Sequence, residues 1–270
     1  MTKLANVLVF YAMALGASLA LALLATPVIG EYATLVVMMT PLLSVLVMKL
    51  IFNREGYTRS GWSDLGLARL GLRLWPVAFG MPFGVLLVAY GVVWLFGVAQ
   101  FGVPGNPSDI ALNAALNFGV GLVVCLGEEA GWRGYLLPRL LPLGQRTALL
   151  LSGLMQAVWH LPFIVFTTVY HGDGNQWIIV PLFLATMTIA GILFGYLRLA
   201  SKSTWPAVIA HSVFNTYWTL FGAFTVAASP LAFEYLAGES GVITLVAVAF
   251  SAWVLIRRLE RPQGSIPAAT

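Results

Sequence analysis

An all-α, polytopic membrane bundle of about eight transmembrane helices is the fold class this sequence predicts, on three observations. Of 270 residues, 60% are hydrophobic and 9% charged, and the mean hydropathy is +0.90, far above the range of soluble domains. The apolar residues come in continuous runs of roughly 20, the length a helix needs to cross a bilayer. They do not alternate with polar residues as the strands of a membrane barrel would. The polar interruptions are short, so residues 1–270 read as a single transmembrane domain.

The first run, about 5–29, follows Lys3. It is too long for a signal-peptide core and has no clear cleavage site, so it reads as the first span. After a short turn at Glu31 the second covers 32–52. Residues 53–74 carry Arg54, Glu55, Arg59, Asp64, Arg69 and Arg73 among Leu65, Leu67, Leu70 and Leu72. That interleaving predicts an interfacial segment, apolar on one side and basic on the other. A third span is expected at 76–99, followed by a connection broken at Gly102, Pro104, Gly105 and Pro107. Asn106, Ser108 and Asp109 stand where a helix start is commonly capped. The remaining spans are expected at 110–132, 147–169, 177–199 and 205–227, with a shorter eighth at 242–256.

The charges sort by side. Lys3, the Lys49 to Arg73 group, the Arg133 to Arg146 group, Arg198 with Lys202, and Arg257 to Arg261 all fall at one end. The opposite loops hold Glu31, Asp109, Asp173, Glu234 and Glu239 and no Lys or Arg. By the positive-inside rule the basic end and both termini are expected in the cytoplasm, with the protein in the cell membrane. A net charge of +4 distributed this way is a topology and headgroup signal. Membrane lipids are therefore the expected partners and nucleic acid is not. The single Cys125 excludes an internal disulfide and reads as a small buried residue. No long-period repeat suggests the duplicated halves of a transporter.

Against this background six polar residues stand out within the spans: Glu128, Glu129, Arg133, His160, His211 and Asn215. An ionisable group at the centre of a spanning helix costs roughly 2.5–3.5 kcal/mol even on insertion scales, so such groups usually serve a task. Residues four apart share a helix face. Glu129 can thus pair with Arg133, and His211 and Asn215 can project together. Glu128 points about 100° away from Glu129, free to face His160 and His211 as a general base in a cavity open to the cytoplasm. The plainer alternatives are histidines hydrogen-bonded between helices, and Asn215, Gln156, Asn113 and Asn117 as interhelical glue. His171, in a Gly-rich outer loop, reads as solvated. Trp132 and Trp159 are expected to wall the cavity, and Pro162 to kink span five.

The pattern resembles the CAAX protease and bacteriocin-processing (CPBP) intramembrane proteases, which include the type II CAAX prenyl endopeptidases. Glu128-Glu129-x-x-x-Arg133, continued by Gly134-Tyr135-Leu136-Leu137-Pro138, looks like the family's first motif. His160, followed by Leu161 and Pro162, looks like the second, and His211-x-x-x-Asn215 like the third. The resemblance covers about Leu122 to Thr216, within a protease core expected at about 110–227. One departure is Gln156, where the family commonly has an aromatic residue four positions before the histidine.

What the resemblance implies is endopeptidase hydrolysis of a membrane-associated or lipidated peptide near the cytoplasmic face. Glu128 with His160 would activate water, His211 and Asn215 would stabilise the oxyanion, and Glu129 with Arg133 would support the structure. Glu128, His160 and His211 could also supply the three protein ligands of a catalytic zinc. The metal-free reading is favoured, so no cofactor is expected and zinc is the alternative. Two other classes remain open from sequence: a non-enzymatic immunity or scaffold protein, and a proton-coupled transporter using the same groups as a relay.

Overall fold

The computed structural model describes residues 3–30, 32–168, 174–227, 229 and 234–259. Glu31, the loop at His171, Gly172 and Asp173, and Arg261 lie outside the described residues, as do the side chains of Lys3 and Arg258. Among the described residues six helices are long and apolar enough to cross a membrane: Leu4–Ile29, Tyr32–Phe52, Leu72–Leu95, Pro107–Leu143, Gln145–Phe166 and Gln176–Ser201. The protein is an all-α integral membrane bundle.

Helix α1 (Lys3–Ala20) runs through a π-helical turn at Leu21–Ala25 into α2 (Thr26–Ile29). Helices α3 (Tyr32–Met38) and α4 (Thr40–Val47), separated at Met39 just before Pro41, form the second span. There follow α5 (Trp75–Leu95), α6 (Pro107–Glu129), the short α7 (Leu137–Leu140), α8 (Gln145–Phe166), α9 (Gln176–Ser201), α10 (Trp205–Ala223) and α11 (Val242–Leu259). The start of α6 is capped as its sequence suggests, with the Asn106 side chain accepting from Ser108 N–H. Helix α10 has 19 residues, but His211, Ser212, Asn215 and Thr216 keep its hydropathy below that of the six apolar spans. It is nonetheless packed inside the bundle against α5, α6 and α9, and α11 closes over α5 and α9.

The third and seventh spans end earlier than predicted. Residues Ala99–Phe101 (β1) and Thr225–Ala227 (β2) leave their helices and pair antiparallel, Ala99 opposite Ala227 and Phe101 opposite Thr225. Gly97, at φ 67°, turns the chain out of α5, and Trp94 Nε1 donates to Thr225 Oγ1 at 3.0 Å to fasten the two ends. Hydropathy could not reveal this ribbon, because its residues are as apolar as the helices they follow.

The predicted interfacial segment is a docked cap of 3₁₀ turns, at Glu55–Tyr57, Arg59–Leu65 and Leu72–Leu74, and contains no amphipathic α-helix. Its arginines, Arg54, Arg59, Arg69 and Arg73, are exposed as expected. Its carboxylates turn inward. Lys49, fully buried, reaches Glu55 and Asp64 at 2.8 Å each, and Arg139 reaches the same two acids at 2.9 and 2.8 Å. The Arg139 guanidinium also lies over the Tyr135 ring, 3.5 Å from its centroid. Two cations sharing two acids meet the condition under which a desolvated ion pair is tolerated, namely that each charge is matched and hydrogen-bonded. Thr204 Oγ1 donates to Leu65 O at 2.5 Å and Trp205 Nε1 to Leu67 O at 3.0 Å, so the cap is also stitched to the start of α10.

Helices α8 and α9 cross without intervening side chains. A Cβ on Gly153 would lie 2.4 Å from Thr188 O, and one on Gly191 2.5 Å from Gly153 Cα. Small residues allow this approach where lipid supplies no hydrophobic drive for helix association. Gly153→Ala is accordingly expected to destabilise the bundle by about 1–3 kcal/mol, the usual cost of overpacking. Thermal unfolding of the purified protein against wild type checks this; an unchanged midpoint would show that α8 and α9 can part freely.

Candidate active site

The fourth span does not end at the paired glutamates. It continues as a π-helical stretch, Ala130–Leu136, into α7, with Pro138 in its first turn, so that the whole span runs from Pro107 to Leu143. Glycines let this irregular stretch sit against its neighbours. A Cβ on Gly127 would meet Met38 O at 2.9 Å, one on Gly131 would meet Pro41 Cβ at 2.5 Å, and one on Gly134 Leu65 O at 3.2 Å. In sequence the same glycines, followed by Pro138 and Pro142, read as a helix end. In the fold they are contact points, and they place Glu128 and Glu129 at the middle of the bundle. Single π-type turns inside helices occur preferentially at functional sites.

The predicted ion pair forms: Arg133 Nη1 donates to Glu129 Oε1 at 3.0 Å, with both side chains fully buried. Glu129 is not purely structural, however. The same Oε1 accepts from His211 Nδ1 at 2.9 Å, so one carboxylate oxygen holds both the arginine and the histidine. The Phe194 ring lies beside them, stacked on His211 at 5.5 Å between centroids, with the Arg133 guanidinium 5.4 Å from its own centroid. Gly191 leaves room for that guanidinium, since a Cβ there would be 2.8 Å from Arg133 Nη2.

Gln156 is more than glue. Its Oε1 accepts from Arg133 Nη1 at 2.6 Å, and its Nε2 donates to Glu128 Oε2 at 3.0 Å. Its backbone carbonyl accepts from His160 Nδ1 at 2.9 Å. Because a carbonyl only accepts, His160 carries a proton on Nδ1 in this hydrogen bond. Helix α8 runs continuously through Pro162. His160 is held edge-on by Trp159 and Phe183, at 4.6 and 5.4 Å between centroids. Trp159 is anchored in turn to the first span, its Nε1 donating to Ala14 O at 3.2 Å and its carbonyl accepting from Ser18 Oγ at 2.9 Å.

On α10, Ser212 Oγ donates to Phe118 O at 3.0 Å, and Gly121 gives it the space, since a Cβ there would be 2.6 Å from Ser212 Oγ. This contact fixes the rotation of α10 so that His211 and Asn215 face α6. Asn215 Nδ2 donates to Cys125 Sγ at 3.6 Å, which leaves the second N–H of its amide for another acceptor.

Glu128, His160, His211 and Asn215 line one cavity of about 500 Å³, together with Trp159 and Asn117. Glu128 is 1% exposed, His211 3% and His160 9%. Trp132, expected beside Trp159 in the wall, instead packs behind it against Phe10 and Tyr11. Asn113 is exposed on α6. The cavity was expected to open at the basic end. It extends the other way, to Tyr32, Thr34 and Leu35 in the first turn of α3 and to Glu239 just before α11. The reason is the length of the fourth span beyond Glu128 and the cap of residues 55–65, whose Leu65 packs on Gly134 and whose Asp64 holds Arg139. Among the described residues no three His, Cys, Asp or Glu side chains are grouped so as to hold a metal ion. Gln156 holds one of the Glu128 oxygens and Glu129 orients His211 through Nδ1.

A helical membrane bundle enclosing a carboxylate and two histidines in one cavity defines the class: an integral membrane protein with acid–base groups gathered inside its spans. Residues 110–217 match the family described as Rce1-like, type II CAAX prenyl endopeptidase. The match covers the segment that carries Glu128, His160, His211 and Asn215 and supports the resemblance to the CAAX protease and bacteriocin-processing family. A comparison with curated proteins gives no match.

Proposed function

We propose that this protein is an intramembrane endopeptidase whose core spans about 110–227 and which hydrolyses a membrane-associated peptide, with a prenylated CAAX-type peptide as the first candidate substrate. The observation that carries the reading is the convergence of Glu128, His160, His211 and Asn215, from three helices, on one cavity in the middle of the bundle. In this reading water sits between Glu128 and His160 Nε2. Glu128 takes one proton as the water oxygen attacks the carbonyl carbon. His211, protonated at both nitrogens and steadied through Nδ1 by Glu129, donates Nε2–H to the developing oxyanion, and Asn215 donates its remaining N–H. Glu128 then passes its proton to the leaving nitrogen as the C–N bond breaks, releasing an amine and a carboxylic acid.

The distribution of basic residues supports a topology with both termini in the cytoplasm of a cell membrane. We favour a metal-free route in which Glu128 is the base. Two measurements test the reading. Mass spectrometry of membrane peptides from cells carrying wild type or Glu128→Ala is expected to show products only in the first; identical peptide sets would count against a peptidase. Metal analysis with chelator titration of the purified protein is expected to leave hydrolysis unchanged. Stoichiometric zinc whose removal abolishes hydrolysis would overturn the metal-free route.

A further inference from the structure

We infer that Gln156 is a positioning residue for Glu128, a role that rests on the proposed hydrolysis by Glu128. The amide is completely buried and its orientation is dictated by its neighbours. Arginine has donors and no acceptor, so the amide oxygen must face Arg133, at 2.6 Å. The NH₂ end is then obliged to face Glu128, at 3.0 Å from Oε2. One carboxylate oxygen of Glu128 is thereby occupied by a neutral donor, and the other is directed to the cavity that Glu128 lines.

The position is also a junction. Gln156 lies one helical turn before His160 on α8, and its backbone carbonyl fixes the His160 tautomer. A single residue thus connects Arg133, Glu128 and His160, two of which belong to the proposed chemistry. A side chain at 156 without both a donor and an acceptor could not hold Glu128 and Arg133 together. The amide couples the buried arginine to the base through a dipole where no direct Arg133–Glu128 bond is made.

Two substitutions separate this role from mere support of Arg133. Gln156→Glu keeps an acceptor for Arg133 and removes the donor to Glu128. Gln156→Met keeps length and volume and removes both. With a prenylated CAAX peptide as probe, each is expected to lower kcat about 10- to 100-fold, the range for losing a hydrogen bond to a charged group, with KM unchanged. Wild-type kcat in either folded variant would overturn the inference. A second readout does not depend on hydrolysis. The infrared carboxyl band of Glu128, identified as the band lost in Glu128→Gln, is expected to move in Gln156→Met, and an unmoved band would overturn the inference. Should wild type cleave no peptide, the hydrolysis reading fails and the band alone decides whether Gln156 holds Glu128. Loss of the fold in both variants would make Gln156 a structural residue and overturn the inference as well.

Discussion

Glu128→Gln lowers kcat/KM for peptide hydrolysis by about 10²–10⁴-fold, the range that a positioned general base contributes, and leaves the fold unchanged. The second half of that expectation follows from the surroundings. Glutamine has nearly the shape of glutamate, and its carbonyl oxygen can still accept from Gln156 Nε2, which stands 3.0 Å from Glu128 Oε2. No buried partner is orphaned by the change. What is lost is the capacity to take a proton from water, so a variant that unfolds at the wild-type temperature yet fails to cleave separates chemistry from architecture. Steady-state hydrolysis and thermal unfolding on the same preparation check both halves. Retained hydrolysis would remove Glu128 from the mechanism.

Arg133→Met has the opposite profile. Arg133 is fully buried and donates to both Glu129 Oε1 and Gln156 Oε1. Without it Glu129 keeps only His211 as a partner, and an uncompensated carboxylate is left in the bundle. Removing one member of a buried pair costs about 3–5 kcal/mol, enough to lower the unfolding midpoint markedly. Arg133→Lys should recover part of that loss. It restores the charge and a donor for the two oxygens that Nη1 serves, but it lacks the guanidinium plane that lies by the Phe194 ring. Unfolding curves for the two variants beside wild type test this, and a methionine variant as stable as wild type would contradict it.

The helical bundle was legible because apolar length is a nearly direct statement of what a bilayer demands. Glu129 with Arg133 was legible from spacing along one helix, and Glu128, His160, His211 and Asn215 from the residues and a family resemblance. The sharing of Glu129 by His211 was not legible, since residues 82 positions apart meet only after α10 is rotated against α6 by Ser212 and Gly121. Gln156 carried a signal that was present but ambiguous: a lone amide one turn before a histidine says nothing of whether it joins helices or holds a base. The cavity's direction is not legible in sequence, because Pro138, Pro142 and Gly144 read as a connection after the fourth span, whereas the span runs on to Leu143.

The π-helical stretch at Ala130–Leu136 also sets a phase. Arg133, inside it, belongs to the site in the middle of the bundle, while Arg139, six residues on, belongs to the ionic cap with Lys49, Glu55 and Asp64. Each residue added to or taken from a helix turns everything beyond it by about 100°. The wide turn is therefore a gearing between two charge networks: deleting one residue from it would leave each cluster's sequence intact while swinging Arg139 out of register with the acids that bind it.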